Sequence, residues 1–363
     1  MAASLDKKMG TASAKVRDSS LELFRIVLML MIISSHYVMN SGLCQEILQE
    51  GVGRISPRGL SFLMFGAWGK IGINCFLLIT GYFMCTGQAT VRKLLTLYFQ
   101  ILFYNVVVGV CFFAAGRETI GFTKMIFHWF WPFKNLTSGF TGAFLAFYVF
   151  IPFLNVLINS INRRSHLVLL LALLFVFSFL PTLPCVCINV ANNYVCWFAV
   201  VYIAGAYIRK YPLKSFEHRG YMACLAGVAF VIGNLSVVAM ANLLPRFEES
   251  QLPWSYWVFD SEKITAFAAA AAFFLFFRSL RLPYLKVVNV IASATFGVLL
   301  IHANSNAMRH WLWRDVCQNI EYYSLGIWRA AGVVMCVYVV CVLLELCRQR
   351  LFKAFGALFR MER

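Results

Sequence analysis

Apolar residues in this chain gather into long runs, without the strict alternation of a half-buried strand. Runs fall near 21–40, 60–85, 94–115, 141–160, 166–182, 192–208, 221–243, 264–280, 284–305 and 325–347. A helix needs roughly 20 such residues to cross about 30 Å of hydrocarbon. Lipid cannot satisfy open backbone groups, so runs of this length predict helices. The expected fold is an all-α polytopic transmembrane bundle of about ten spans. The eighth run is bracketed closely by Lys263 and Arg278, whose side chains are expected to snorkel toward the interface. A polar tail over 1–20, a membrane-embedded domain over 21–347 and a basic tail over 348–363 complete the division. No short apolar segment with a small-residue cleavage site follows the tail, so no signal peptide is expected.

Composition sharpens this picture. The 363 residues are 61% hydrophobic and only 13% charged, whereas soluble domains carry about 25% charge. Soluble, secreted and fibrous classes are excluded. The net charge of +17 reads first as topology. Roughly twice as many Lys and Arg fall on the side of the two termini as on the other, which places both termini in the cytoplasm. Nucleic acid is not an expected partner; the lipid bilayer is. Twelve Cys contain no CxxC pair and no Cys/His cluster at ligand spacing, so no metal site is expected. Cys44, Cys185, Cys187 and Cys317 fall in expected outer loops, where a disulfide is an open option.

Ionisable groups inside spans are costly and mark chemistry. The first span carries Arg25 and His36. Eleven residues at 100° each put both on one helix face, about 16 Å apart. A fixed cation suits a phosphate-bearing donor. A histidine titrates near working pH and can take a proton from a hydroxyl. The bland alternative makes Arg25 a helix-end anchor and His36 an interhelical hydrogen bonder. Asn74, Tyr82, Tyr148, Asn155, His302 and Asn304 are further mid-span polar groups, either lining a pocket or serving as glue between helices. Ser19-Ser20-Leu21-Glu22 fits a capping box with Ser19 as N-cap. Glu345 is expected to pair with Arg348. Asp260 and Glu262 read as a solvated rim, and His128, His166, His218 and His310 as interfacial residues.

Arg, ten residues, then His in the first span resembles the integral-membrane acyltransferase family 3. The likeness continues through GKIGINCFLLITGYF (69–83), VRKLLTLYFQILFYNV (91–106), FLAFYVFIPFLNVLI (144–158) and TFGVLLIHANSNAMRHWLW (295–313). These segments stand in the family's order over roughly 18–347. The resemblance implies a bacterial inner-membrane O-acyltransferase with acetyl-CoA or another acyl-CoA as co-substrate and no permanently bound cofactor. The acceptor would be a cell-surface or lipid-linked glycan. His36 would be the general base, Arg25 a catalytic and donor-binding residue, and Arg92 and Lys93 further donor contacts. Departures from the family pattern are Lys93-Leu94-Leu95 after Arg92, where a second arginine is usual, and Gly139 where an aromatic is usual. Leu299 stands for Tyr and Ala303 for the Asp expected beside His302. Rival readings are a transporter or flippase with a midplane polar site, disfavoured by the lack of an internal repeat, and a non-catalytic sensor on the same fold.

Overall fold

The computed structural model describes residues 17–50, 55–117, 122–134, 139–183, 194–243, 257–258 and 260–361. Among them there is helix and turn, and no strand. The N-terminal tail to residue 16, Cys185 and Cys187 lie outside the described residues, as does the His128 side chain.

Helix α1 (Ser19–Met39) occupies the centre of the bundle, with Phe24, Leu28, Met29, Ile33, Tyr37 and Val38 almost fully buried. It does not start in the expected capping box. Asp18 is the N-cap and accepts from the Ser20 and Leu21 amides. The Ser19 and Ser20 hydroxyls serve a tertiary tie instead, accepting from the amides of Leu285 and Leu282 at 2.8 and 2.7 Å. Glu22 turns to Arg25. Short α2 (Leu43–Glu50) follows, and α3 (Pro57–Gly66) begins at a Ser56 cap with Pro57 in the first turn. After a two-residue break, α4 (Gly69–Met84) continues the same crossing.

Helix α5 (Val91–Ala114) is capped by Thr90, and α6 (Phe122–Phe130) packs beside it. Next come α7 (Phe140–Ser160), with Pro152 inside, and α8 (Arg163–Leu174), which runs through a π-helical turn into α9 (Leu180–Thr182). Helices α10 (Tyr194–Lys210), α11 (Arg219–Leu243) and α12 (Ile264–Ser279) follow. The chain then forms α13 (Lys286–Ser293), α14 (Thr295–His302), short α15 (Asn306–His310) with a π turn, and the long α16 (Ile327–Met361).

Among the described residues seven helical stretches are long and apolar enough to cross a membrane, and an eighth counts if the pair Lys286–His302 and Asn306–Val316 is one broken span, bent by 96°. The protein is thus a multi-pass membrane protein. The runs expected over 192–208 and 264–280 form α10 and α12, of 17 and 16 residues. The charged ends of α12 do not snorkel freely. Lys263 is buried and donates to the Pro181 carbonyl at 2.6 Å, while Arg278 lies over the Tyr82 ring.

Close approach of α4 and α10 sets the core, and small residues permit it, as in membrane bundles generally. A side chain at Gly81 would collide with the Tyr202 carbonyl, and one at Gly205 would meet the Leu78 carbonyl at 2.5 Å. Backbone cannot yield as a flexible side chain does. Gly205→Val should therefore lower stability by at least about 2 kcal/mol, as overpacking does, read as a fall in thermal unfolding temperature in detergent.

Candidate functional site

Gly69 packs on Ser35 of α1, so α4 begins where α1 ends and the two run antiparallel. His36 and His302 lie at one end of this pair, Arg25 and Tyr82 at the other.

At the His36 end, α14 delivers His302 to α1. His36 Nδ1 and His302 Nε2 are 3.0 Å apart, their ring centroids 5.1 Å. His302 is fully buried and its Nδ1 lies 2.6 Å from the Val298 carbonyl. A carbonyl only accepts, so His302 Nδ1 must donate. With both rings neutral, His302 Nε2 then carries a lone pair and His36 Nδ1–H donates to it. This fixes the tautomer of His36 and leaves its Nε2 as a bare acceptor, on a residue that is not fully buried. The carbonyl of Val298, one turn back on α14, does the orienting that an acidic neighbour does in many histidine sites.

The break after His302 places more groups here. Arg309 donates to the Ala303 carbonyl at 3.1 Å and to Asn306 at 3.3 Å, and its Nε is buried without a partner. Asn304 bonds Asn105 and the Leu300 carbonyl. Lys70, in the first turn of α4, donates to the Tyr194 hydroxyl, and together with Arg309 it lies within electrostatic reach of His36. Neither basic residue stands out by spacing; both reach the histidines only through the helix break and the antiparallel start of α4.

Asp260 and Glu262 are not a solvated rim. Glu262 is 4% exposed, and burial, followed by the neighbouring Asp260 charge, raises its carboxyl above the usual range. Burial raises Asp260 as well, opposed by Lys263 and Lys70. The segment is held from below, since Asn74 donates to the Ser261 carbonyl at 2.7 Å and accepts from Trp197 at 2.9 Å. Asn74 is fully buried, with both ends of its amide engaged, and ties helices together. Asn155 is glue of the same kind, donating to the Met84 carbonyl and accepting from Tyr202.

At the opposite end Arg25 donates to both Glu22 oxygens, at 3.0 and 3.2 Å. Its charge is partly answered within its own helix. Arg92 and Lys93 are exposed in the first turn of α5, where Lys93 donates to the Gln88 carbonyl. Tyr148 is buried, its hydroxyl without a hydrogen-bond partner. Tyr82 accepts from Arg209 at 3.0 Å.

Other expectations resolve simply. Glu345 is fully buried and takes a two-pronged bond from Arg348 at 2.7 and 2.8 Å, with Tyr104, Gln100 and Gln349 completing its shell. Gly297 makes room for it, because a Cβ there would lie 2.5 Å from the Glu345 carboxylate. His166 is not interfacial. It is fully buried, donating to the Ile203 carbonyl at 3.1 Å. The His218 ring lies tilted against Tyr221 at 4.5 Å, and His310 lies 3.7 Å from Asp315, more than half exposed. Cys44 is buried, and Cys317 is a free thiol. No group of His, Cys, Asp or Glu fit to hold a metal occurs among the described residues. An apolar groove of about 890 Å³, lined by Phe24, Met31, Phe65, Phe230 and Phe273, opens on a different face of α1 from Arg25 and His36.

With this geometry in place, comparison with known families is decisive. The family model described as an acyltransferase domain, of acyltransferase family 3, matches residues 18–346. The chain belongs to that family. Neither a curated protein nor a solved structure matches it significantly. The match runs from the cap of α1 into α16 and takes in both histidines, so the site lies within a membrane acyltransferase domain.

If His302 fixes the His36 tautomer, His302→Ala should reduce acyl transfer about 10²-fold or more, within the range general-base catalysis supplies. His302→Gln, whose amide oxygen can accept from Nδ1–H, should retain more activity than the alanine variant. Steady-state rates at matched protein levels check the order.

Proposed function

We propose that this protein is an O-acyltransferase of the bacterial inner membrane that moves an acetyl group from acetyl-CoA to a hydroxyl of a cell-surface or lipid-linked glycan. The observation that carries the reading is the bare Nε2 of His36, held in a fixed tautomer by His302 within an acyltransferase family chain. The acceptor hydroxyl gives its proton to His36 Nε2 as its oxygen attacks the thioester carbonyl. The C–S bond then breaks, and the departing thiolate takes the proton back from the imidazolium. The products are an ester and free coenzyme A, and the histidine returns to its starting state. The transient charge on His36 is shared toward His302 through the Nδ1–H bond, which strengthens when one partner is ionised.

In this reading ten spans cross the membrane, with both termini in the cytoplasm. The shorter α10 and α12 are the two crossings beyond the eight that length and composition support. The donor enters from the Arg25 end, and Arg92 and Lys93 at the start of α5 meet its phosphates on approach. The glycan meets His36 from the other end. Lys70, Tyr194 and Asn304 stand near enough to the histidine pair to serve as its hydrogen-bonding surface.

His36→Ala should abolish glycan acylation, a loss of 10²-fold or more, while the protein still inserts and accumulates. Measuring surface-glycan O-acetyl content in a strain carrying only the variant tests this, and wild-type acetylation would remove His36 from the reaction.

A further inference from the structure

The C-terminal turns of α4, α10 and α12 converge at the Arg25 end. There two guanidinium groups lie against the Tyr82 ring. Arg209 sits 4.9 Å from the ring centroid and donates to the hydroxyl at 3.0 Å; Arg278 sits 5.6 Å from the same centroid. Phe277, next to Arg278, stacks on Phe24 of α1 at 4.4 Å, which brings the start of α1 to the same place.

Two cations that share one ring as neighbour gain from a nearby negative charge. Among the described residues neither guanidinium is paired with one, whereas Arg25 has Glu22, Arg281 has Glu217 and Arg348 has Glu345. The neighbouring Lys210 is also spoken for, by the Ile158 carbonyl and Asn159. Arg278 Nη1 is buried with no hydrogen-bond partner at all. A buried donor left unmatched is uncommon and calls for an explanation. Cation–π contact with Tyr82 and the negative ends of the three helices steady the pair. They do not supply oxygen acceptors in the plane of the guanidinium fork. A phosphate group does, and arginine forks match its geometry. Both side chains are only half-buried, so a ligand can reach them.

We propose that Arg209 and Arg278, held about Tyr82, form a phosphate-binding site. On the donor reading above, on which this identification of the ligand rests, the phosphate belongs to the diphosphate of coenzyme A. The site then adds to Arg25, whose charge is partly answered by Glu22. An anionic lipid headgroup presents the same chemistry from the bilayer side, and the experiment separates the two sources.

Purified protein in phosphatidylcholine nanodiscs is titrated with coenzyme A, for wild type, Arg209→Gln and Arg278→Gln. Losing one charge-assisted contact should weaken binding about 10- to 100-fold. In parallel, retention of phosphatidylglycerol from mixed bilayers is counted by native mass spectrometry. Dependence of coenzyme A affinity on both arginines supports the site with the donor as its ligand. If wild type binds no coenzyme A but phosphatidylglycerol retention depends on both arginines, the phosphate site stands and the donor reading fails. If neither ligand responds to either substitution, the proposal is overturned. Should the glutamine variants unfold, Arg209→Lys and Arg278→Lys keep the charge without the fork. Several-fold weaker binding of either ligand supports the site, and unchanged binding of both overturns it.

Discussion

Inside a bilayer a polar group has no water to fall back on, so it must find a partner in the protein. The rest of this structure follows from that constraint. Glu345 is buried with four donor side chains around it, and Gly297 is the residue whose missing side chain admits it. Asn74 and Asn155 each give and accept, tying α4 to neighbouring elements. The same rule applied to His302 leaves it one free lone pair, and that lone pair determines how His36 is protonated. A polar group that stays open under this constraint is therefore informative. His36 Nε2 and Arg278 Nη1 are two such groups, at opposite ends of the bundle.

The break between α14 and α15 brings the site together. A straight helix would carry Arg309 two turns beyond His302, along the axis. The 96° bend turns it back, so that its guanidinium donates to the Ala303 carbonyl freed at the break. Irregular backbone at membrane depth is tolerated where protein lines it. Here it converts a spanning helix into a platform for a histidine and a cation. The central α1 then links this platform to the arginine cluster at its other end.

The helical class and the positions of the apolar helices are legible in the sequence, because hydrocarbon thickness sets run length directly. Of the ten expected crossings, seven or eight are long and apolar enough among the described residues, and α10 and α12 are shorter. The Arg25–His36 spacing and the family's motifs are legible too, being local. What the sequence does not carry is partnership across distance. His302 reaches His36 from 266 positions away, and the missing acid at Ala303 hides the fact that a backbone carbonyl orients the ring instead. Arg209 and Arg278 read as ordinary helix-end cations until the fold brings both to one tyrosine. Asp260 and Glu262 mislead for a related reason: a loop that is polar by composition is packed under the ends of α9 and α12. Ser19 and Ser20 match a capping pattern, yet their hydroxyls hold the start of α13, and the preceding Asp18 takes over the cap.

The proposed proton transfer depends on the protonation of one ring, and nitrogen NMR of selectively labelled His36 in the bilayer reads it directly. A neutral His36 with a protonated Nδ1 and a bare Nε2, losing that preference when His302 is replaced by alanine, is the predicted result. A neutral His36 protonated at Nε2 in the wild-type protein would contradict it, because such a ring has no lone pair facing the acceptor hydroxyl.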